Sequence, residues 1–165
     1  MAPSTPTTGT AAPSAQKPAD DGGPARFQHT ALASEIAFLT ARARARGNAA
    51  ANRLLADIDL KVRPFAVLAM ACSGTNPSQR ELGNFLDLDP SQVVALVDSL
   101  ERRGAIRREP DPRDRRSKVL VATDAGQELY AQGAQRTREA EERTLKALST
   151  QERDQLRTLL STVVL

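Results

Sequence analysis

Apolar positions recur at helical spacing along most of this chain. Leu32, Ile36 and Leu39 lie three and four residues apart, an Ala/Arg-rich run follows, and Leu54, Leu55 and Ile58 continue the pattern. Pro64 then opens a short apolar helix, "FAVLAMAC", which stops near Gly74. Proline suits a first helical turn because its missing N–H has no intrahelical partner there. Two helix starts follow closely. Ser78-Gln79-Arg80-Glu81 has the spacing of a capping box, in which the serine caps the Glu81 amide and the glutamate reaches back. Asp89-Pro90-Ser91-Gln92 repeats that spacing with proline at the first helical position. The turn "LDLD" separates them, so the pair is a helix-turn-helix candidate.

The second helix, residues 90–103, carries an apolar stripe of Val93, Leu96, Val97 and Leu100 that is expected to face a core. Ser91, Ala95, Asp98 and Arg102 occupy the opposite face, with Gln92 and Val94 on its flanks. Small and polar outside, apolar inside, suits a helix that lies in a DNA major groove. It suits an ordinary surface helix as well. Gly104 ends the helix as a C-cap. Ala105–Arg108 and Lys118–Ala122 pattern as the two strands of a hairpin. Its loop holds Pro110 and Pro112, which do not belong in a strand interior. A long helix runs from Thr123 to about Leu148. Ser149-Thr150-Gln151-Glu152 is a third capping box, opening a last helix that ends in "VVL".

Residues 1–25 break the pattern. They hold five of the ten prolines and three glycines, with no large apolar residue after Met1. Such a segment cannot bury enough surface to offset ordering its backbone, and a disordered tail is expected. Residues 26–165 are then one domain, a length sufficient for a single core.

Charge is distributed unevenly. The net charge of the chain is +3, but residues 101–118 contain eight basic and four acidic residues, a local +4. The last 42 residues hold six basic and seven acidic ones, so that end is not a nucleic-acid surface. Its long amphipathic helices point to a second subunit. Aromatic content is 3% and tryptophan is absent, which argues against a base-stacking platform. One cysteine cannot form an intramolecular disulfide and suits a reducing compartment. With one histidine beside it, no metal site of the usual His/Cys type is expected, and no cofactor. No nucleotide loop or Ser/His/Asp set is present, so no catalytic residue is assigned. No apolar run is long enough for a membrane span and no secretory leader is evident, so a cytoplasmic protein is expected.

The pieces "ELGNFLDLDPSQV", "LVDSLERRG" and above all "DPRDRRSKVLVATDAG" closely resemble the MarR family of bacterial transcription regulators. The resemblance implies a mainly α fold, a winged helix-turn-helix with a small β-hairpin wing and a helical dimerisation region. The DNA-binding lobe would span about 60–123 and the dimerisation helices about 27–58 and 124–165. It implies a homodimer, a pseudo-palindromic double-stranded DNA operator, commonly a repressor's role, and a small-molecule effector. A winged-helix module that binds protein and has no operator is the alternative.

On that resemblance the recognition helix presents Pro90, Ser91, Gln92, Val94, Ala95 and Arg102. The wing presents Arg113, Asp114, Arg115, Arg116 and Lys118. Arg116 would enter the minor groove, with Asp114 orienting its guanidinium, while Arg113 and Arg115 would touch backbone without a fixed partner. Many relatives have a polar residue and then an arginine where this chain has Val94 and Ala95, so direct base contacts rest on Ser91 and Gln92. Ser78 and Gln79 are candidate phosphate contacts, although capping alone accounts for Ser78. Arg42, Arg46 and Arg53 make either a solvated basic face or an anionic effector site. Cys72 reads as a buried small hydrophobe, with redox sensing as the alternative, and His29 as a surface or capping residue.

Overall fold

The computed structural model describes residues 24–114 and 116–165. The tail expected over residues 1–25 thus lies almost wholly outside the described residues, as does Arg115. The chain divides between Leu39 and Thr40 into two units. In the first, Pro24–Phe27 and Ala31–Ser34 form short 3-10 turns, the latter followed by Ile36, where helix α1 (Ile36–Leu55) begins.

The second unit continues through α2 (Val62–Ala71), α3 (Gln79–Leu86), α4 (Pro90–Arg102), β1 (Ile106–Pro110), β2 (Lys118–Ala122), α5 (Asp124–Thr144) and α6 (Thr150–Val164). The two strands pair antiparallel, with Ile106 opposite Ala122 and Pro110 opposite Lys118. A bridge from Ser78 to Val119 adds a third short edge, supported by Leu120 N–H donating to Pro77 O at 2.9 Å. The wing is therefore stitched to the segment that opens α3.

The core sits where α4 meets its neighbours. Leu55, Val67, Leu68, Leu82, Val93, Val97, Leu100, Ile106 and Leu120 are buried, and Leu96 is partly so. The stripe expected on α4 is thus the face that packs inward. Behind it, Phe65 of α2 stacks on Tyr130 of α5 with ring centroids 5.8 Å apart. Gly133 gives the Phe65 ring room, since a Cβ there would lie 2.6 Å from it.

Local differences from the sequence reading have identifiable causes. Helix α2 starts at Val62 rather than Pro64, because the Val62 N–H is capped at 2.9 Å by Oδ1 of Asn52, ten residues back on α1. Pro64 still falls in the first turn, where it costs no hydrogen bond. The box at Ser78 forms completely: Ser78 Oγ accepts from Glu81 N–H at 3.2 Å and Glu81 Oε2 accepts from Ser78 N–H at 2.7 Å. The box at Ser149 forms likewise. The one expected at Asp89 does not; Asp89 is the N-cap residue, but its side chain makes no cap bond. Strand β1 extends through Pro110, not ending at Arg108. Proline is tolerated at that strand end, where no ladder donor is required. Helix α5 stops at Thr144, short of Leu148, with the Thr144 hydroxyl bonded back to Ala140 O at 2.7 Å.

The densest junction lies at the start of α5. The Thr123 hydroxyl donates to Gly104 O at 2.6 Å and accepts from Gly126 N–H at 3.0 Å, while Thr123 N–H donates to Ala105 O at 3.0 Å. A Cβ on Gly126 would lie 1.9 Å from that same Ala105 O. Backbone cannot yield there. Gly126→Ala is expected to destabilise the protein by about 2 kcal/mol or more, measured by urea unfolding followed by circular dichroism. An unchanged midpoint would show that the junction is looser than described.

Candidate nucleic-acid interface

Helices α3 and α4 are joined by a turn in which Asp87 adopts a left-handed conformation, φ 54°. Leu88 N–H closes the turn on Gly83 O at 3.0 Å. Aspartate tolerates this conformation better than a branched residue would. The turn sends α4 across α3 and leaves Pro90, Ser91, Gln92, Val94 and Ala95 exposed at its N-terminal half. Val94 is 45% exposed, a large apolar side chain at the surface with no core role. Arg102 is exposed as well, but it lies at the far end of α4, roughly 16 Å along the axis from Ser91. Its Nε donates to Asp98 O at 3.2 Å.

The basic excess counted over residues 101–118 is smaller at the surface than in the sequence. Arg103 donates to Ile58 O at 2.7 Å and Asp59 O at 2.6 Å, closing the 3-10 turn Ala56–Ile58 that follows α1. Arg107 pairs with Glu109. Arg108 is turned inward onto Asp98, Glu101 and Gln79. Arg113, expected without a fixed partner, is held by Asp111: Nε lies 3.0 Å from Oδ1 and Nη2 2.9 Å from Oδ2. The same guanidinium reaches Glu81 of α3 at 3.8 Å. Asp111 is buried, and hydrogen bonds from the Arg113 side chain and then its backbone amide hold its carboxyl below the usual range. The Ser78 amide and then the Ser78 hydroxyl do the same for Glu81. Sequence spacing concealed the arrangement at Arg108 because its partners lie on α3 and α4, whereas Asp111, the main partner of Arg113, is only two residues away.

Among the described residues, what remains on the wing is Arg116 and Lys118, both exposed. Asp114 does not pair with the Arg116 guanidinium. Its Oδ1 accepts from the Arg116 backbone N–H at 3.0 Å and its Oδ2 from Ser117 Oγ at 3.0 Å. A short carboxylate closes a turn on an amide two residues ahead more readily than it follows a long, solvated side chain. Among the described residues, the Arg116 guanidinium has no carboxylate within ion-pair distance. Ser78 and Gln79 also have protein partners: the Ser78 hydroxyl belongs to its capping box, and the Gln79 carbonyl faces Arg108 at 3.4 Å.

Arg46 and Arg53 line a cleft of about 600 Å³ together with Leu54, Arg143 and Lys146. Arg42, one turn earlier on α1, is outside that lining. Cys72 is half-buried with Sγ 3.8 Å from Gly126 O, and burial pushes its thiol pKa up. That favours the protonated thiol over the reactive thiolate. Among the described residues, no group of three or more His, Cys, Asp or Glu could hold a metal ion, and no helix is long and apolar enough to cross a membrane.

The order of elements, the hairpin beside α4 and the loop sequence have counterparts among known proteins. The model of the MarR family matches residues 64–118. A crystallised transcriptional regulator of that family from Rhodococcus sp. RHA1 is 34% identical, with 82% of this chain and 97% of that one covered, at a TM-score of 0.75. The chain belongs to the MarR family. CouR from Rhodococcus jostii RHA1, solved with p-coumaroyl-CoA, is 35% identical over 82% of this chain and 95% of its own, at a TM-score of 0.74. The repressor CouR has also been solved on a 23-mer DNA duplex, matching at 28% identity and a TM-score of 0.72. YkoM of Bacillus subtilis, an uncharacterised HTH-type transcriptional regulator, is 36% identical over 100 residues. That stretch is 58% of this chain and 62% of YkoM, a little under two thirds of that relative's length. In family terms, α3 and α4 are the helix-turn-helix and β1–β2 is the wing.

The turn-closing role of Asp114 has a direct readout. Asp114→Asn keeps an oxygen for the Arg116 amide, whereas Asp114→Ala does not. The Arg116 amide is expected to exchange hydrogen roughly two- to tenfold faster in Asp114→Ala than in wild type or Asp114→Asn, measured by NMR. Equal rates in all three would remove the carboxylate from the turn.

Proposed function

We propose that the protein is a homodimeric, sequence-specific DNA-binding transcription regulator, a repressor released by a small-molecule effector. The observation that carries this reading is the pairing of an exposed, core-anchored α4 N-terminus with a wing whose Arg116 and Lys118 have been left outside the internal ion pairs. The repressor CouR on its duplex supports it.

In this reading α4 enters the major groove. Gln92 can bond an adenine edge bidentately, Ser91 can donate or accept, and Val94 and Ala95 offer methyl groups to thymine. Arg116 enters the adjacent minor groove, where narrow A·T-rich tracts concentrate negative potential. Lys118, and Arg102 at the far end of α4, contribute phosphate contacts, as does Arg115 in the loop. Base contacts are few, so groove shape carries much of the specificity. Helix α6 supplies the second subunit's docking surface: it buries no residue, and Leu159, Val163, Val164 and Leu165 are all more than half exposed. The effector is an anion held at the cleft of Arg46 and Arg53, with Arg42 at its margin. Such a protein works in the cytoplasm and carries out no catalysis.

Arg116→Ala is expected to lose about 1–3 kcal/mol per half-site and to flatten the salt dependence, because fewer counterions are released. Fluorescence anisotropy on the selected operator at several salt concentrations reads both. Wild-type affinity and slope in this variant would mean the wing does not enter the groove. Sedimentation at micromolar concentration is expected to give a species twice 17.8 kDa. A 17.8 kDa species alone would leave α6 without its partner.

A further inference from the structure

Arg108 is the third residue of β1, and its side chain is only 18% exposed. One Nη2 donates to Asp98 Oδ1 at 2.5 Å and reaches Gln79 Oε1 at 3.4 Å. Nη1 donates to Glu101 Oε2, and the Arg108 backbone N–H donates to Glu101 Oε1 at 3.2 Å. One residue therefore ties the wing strand to two turns of α4 and to the first residue of α3. Asp98 follows Ser91 by seven residues, two helical turns, and so lies on the side of α4 that carries Ser91. A bare carboxylate on that side would repel the phosphates that α4 must approach.

The geometry points to Arg108 as a positioning residue for DNA binding: it fixes the angle between recognition helix and wing, and it neutralises Asp98, without touching DNA itself. The planar fork matters because a single guanidinium satisfies two carboxylates and an amide oxygen in set directions, which a lysine ammonium cannot do. With α4 and the wing held as one body, the major-groove and minor-groove contacts are made together and their ordering is settled before DNA arrives. This inference rests on the proposed DNA-binding function.

The test compares Arg108→Lys, Arg108→Met and wild type, all full-length, by anisotropy on the operator selected with the wild type. Circular dichroism and sedimentation serve as controls for folding and dimerisation. Both variants are expected to bind about tenfold or more weakly; Arg108→Lys, which keeps the charge, is expected to keep the wild-type salt slope, because no phosphate contact is lost. Arg116→Ala should also weaken binding less in the Arg108→Lys background than in wild type, since a wing that is not held no longer delivers Arg116 to its groove. A role confined to stability would lower the melting temperature and leave this coupling at zero. If Arg108→Met does not fold, Arg108→Lys decides, because it retains the charge and most of the stem. Wild-type affinity in Arg108→Lys, or a shallower salt slope in that same charge-keeping variant, overturns the inference. A wild-type protein that binds no duplex selectively instead overturns the functional reading beneath it.

Discussion

One junction sets the geometry of everything that would face DNA. At Thr123, the end of α4, both ends of the wing and the start of α5 meet within a few hydrogen bonds. The threonine hydroxyl holds the Gly104 carbonyl, its amide holds the Ala105 carbonyl, and the absence of a side chain at Gly126 lets α5 lie directly against that carbonyl. Gly104 itself turns out of α4 with φ 71°, a conformation in which glycine carries no steric penalty. Because four element ends share these atoms, the base of the wing is anchored to α4 and α5 together, and Arg108 sets its angle farther along β1. The stacked Phe65 and Tyr130 extend the same coupling to α2.

Charge is sorted around that frame. A cluster of eight cations in eighteen residues would repel itself, and the fold gives half of them partners within the protein. Arg103 closes the turn after α1, Arg107 pairs along its own strand, Arg108 binds α4 and α3, and Arg113 binds Asp111 and approaches Glu81. In the free protein each of these arginines is engaged with a protein partner. On the proposed reading, few described cations per subunit are left to meet phosphates, so dimerisation would serve affinity as well as symmetry. Two linked half-sites bind with a high effective concentration of the second once the first is occupied. In the same way, a ligand that altered the spacing of the two lobes would release DNA without competing for it.

Much of this was legible in the chain. The apolar stripe of α4, two of the three capping boxes, Gly104 and the hairpin followed from periodicity and turn chemistry, because each depends on neighbours within one or two turns. The loop motif from Asp111 to Gly126 carried the family. What sequence did not disclose were the long-range partners. Asn52 capping α2, Arg103 on the carbonyls of residues 58 and 59, and Arg108 on Gln79 join positions ten to forty-five residues apart. An arginine destined for an internal bridge looks the same in sequence as one destined for phosphate. Asp114 is the opposite case: in the free protein its carboxylate bonds the nearby Arg116 amide and the Ser117 hydroxyl and not the guanidinium that the family motif suggests.

On the proposed reading, α4 and the wing of two symmetry-related subunits read DNA together. Selection of duplexes from a random pool with the purified full-length protein tests it most directly. The expected result is enrichment of a two-fold-related sequence whose half-sites are centred about one helical turn, roughly 10 bp, apart, flanked by A·T-rich steps where the wings enter. A pool that shows no enrichment, or that yields a single unrepeated element, would contradict it.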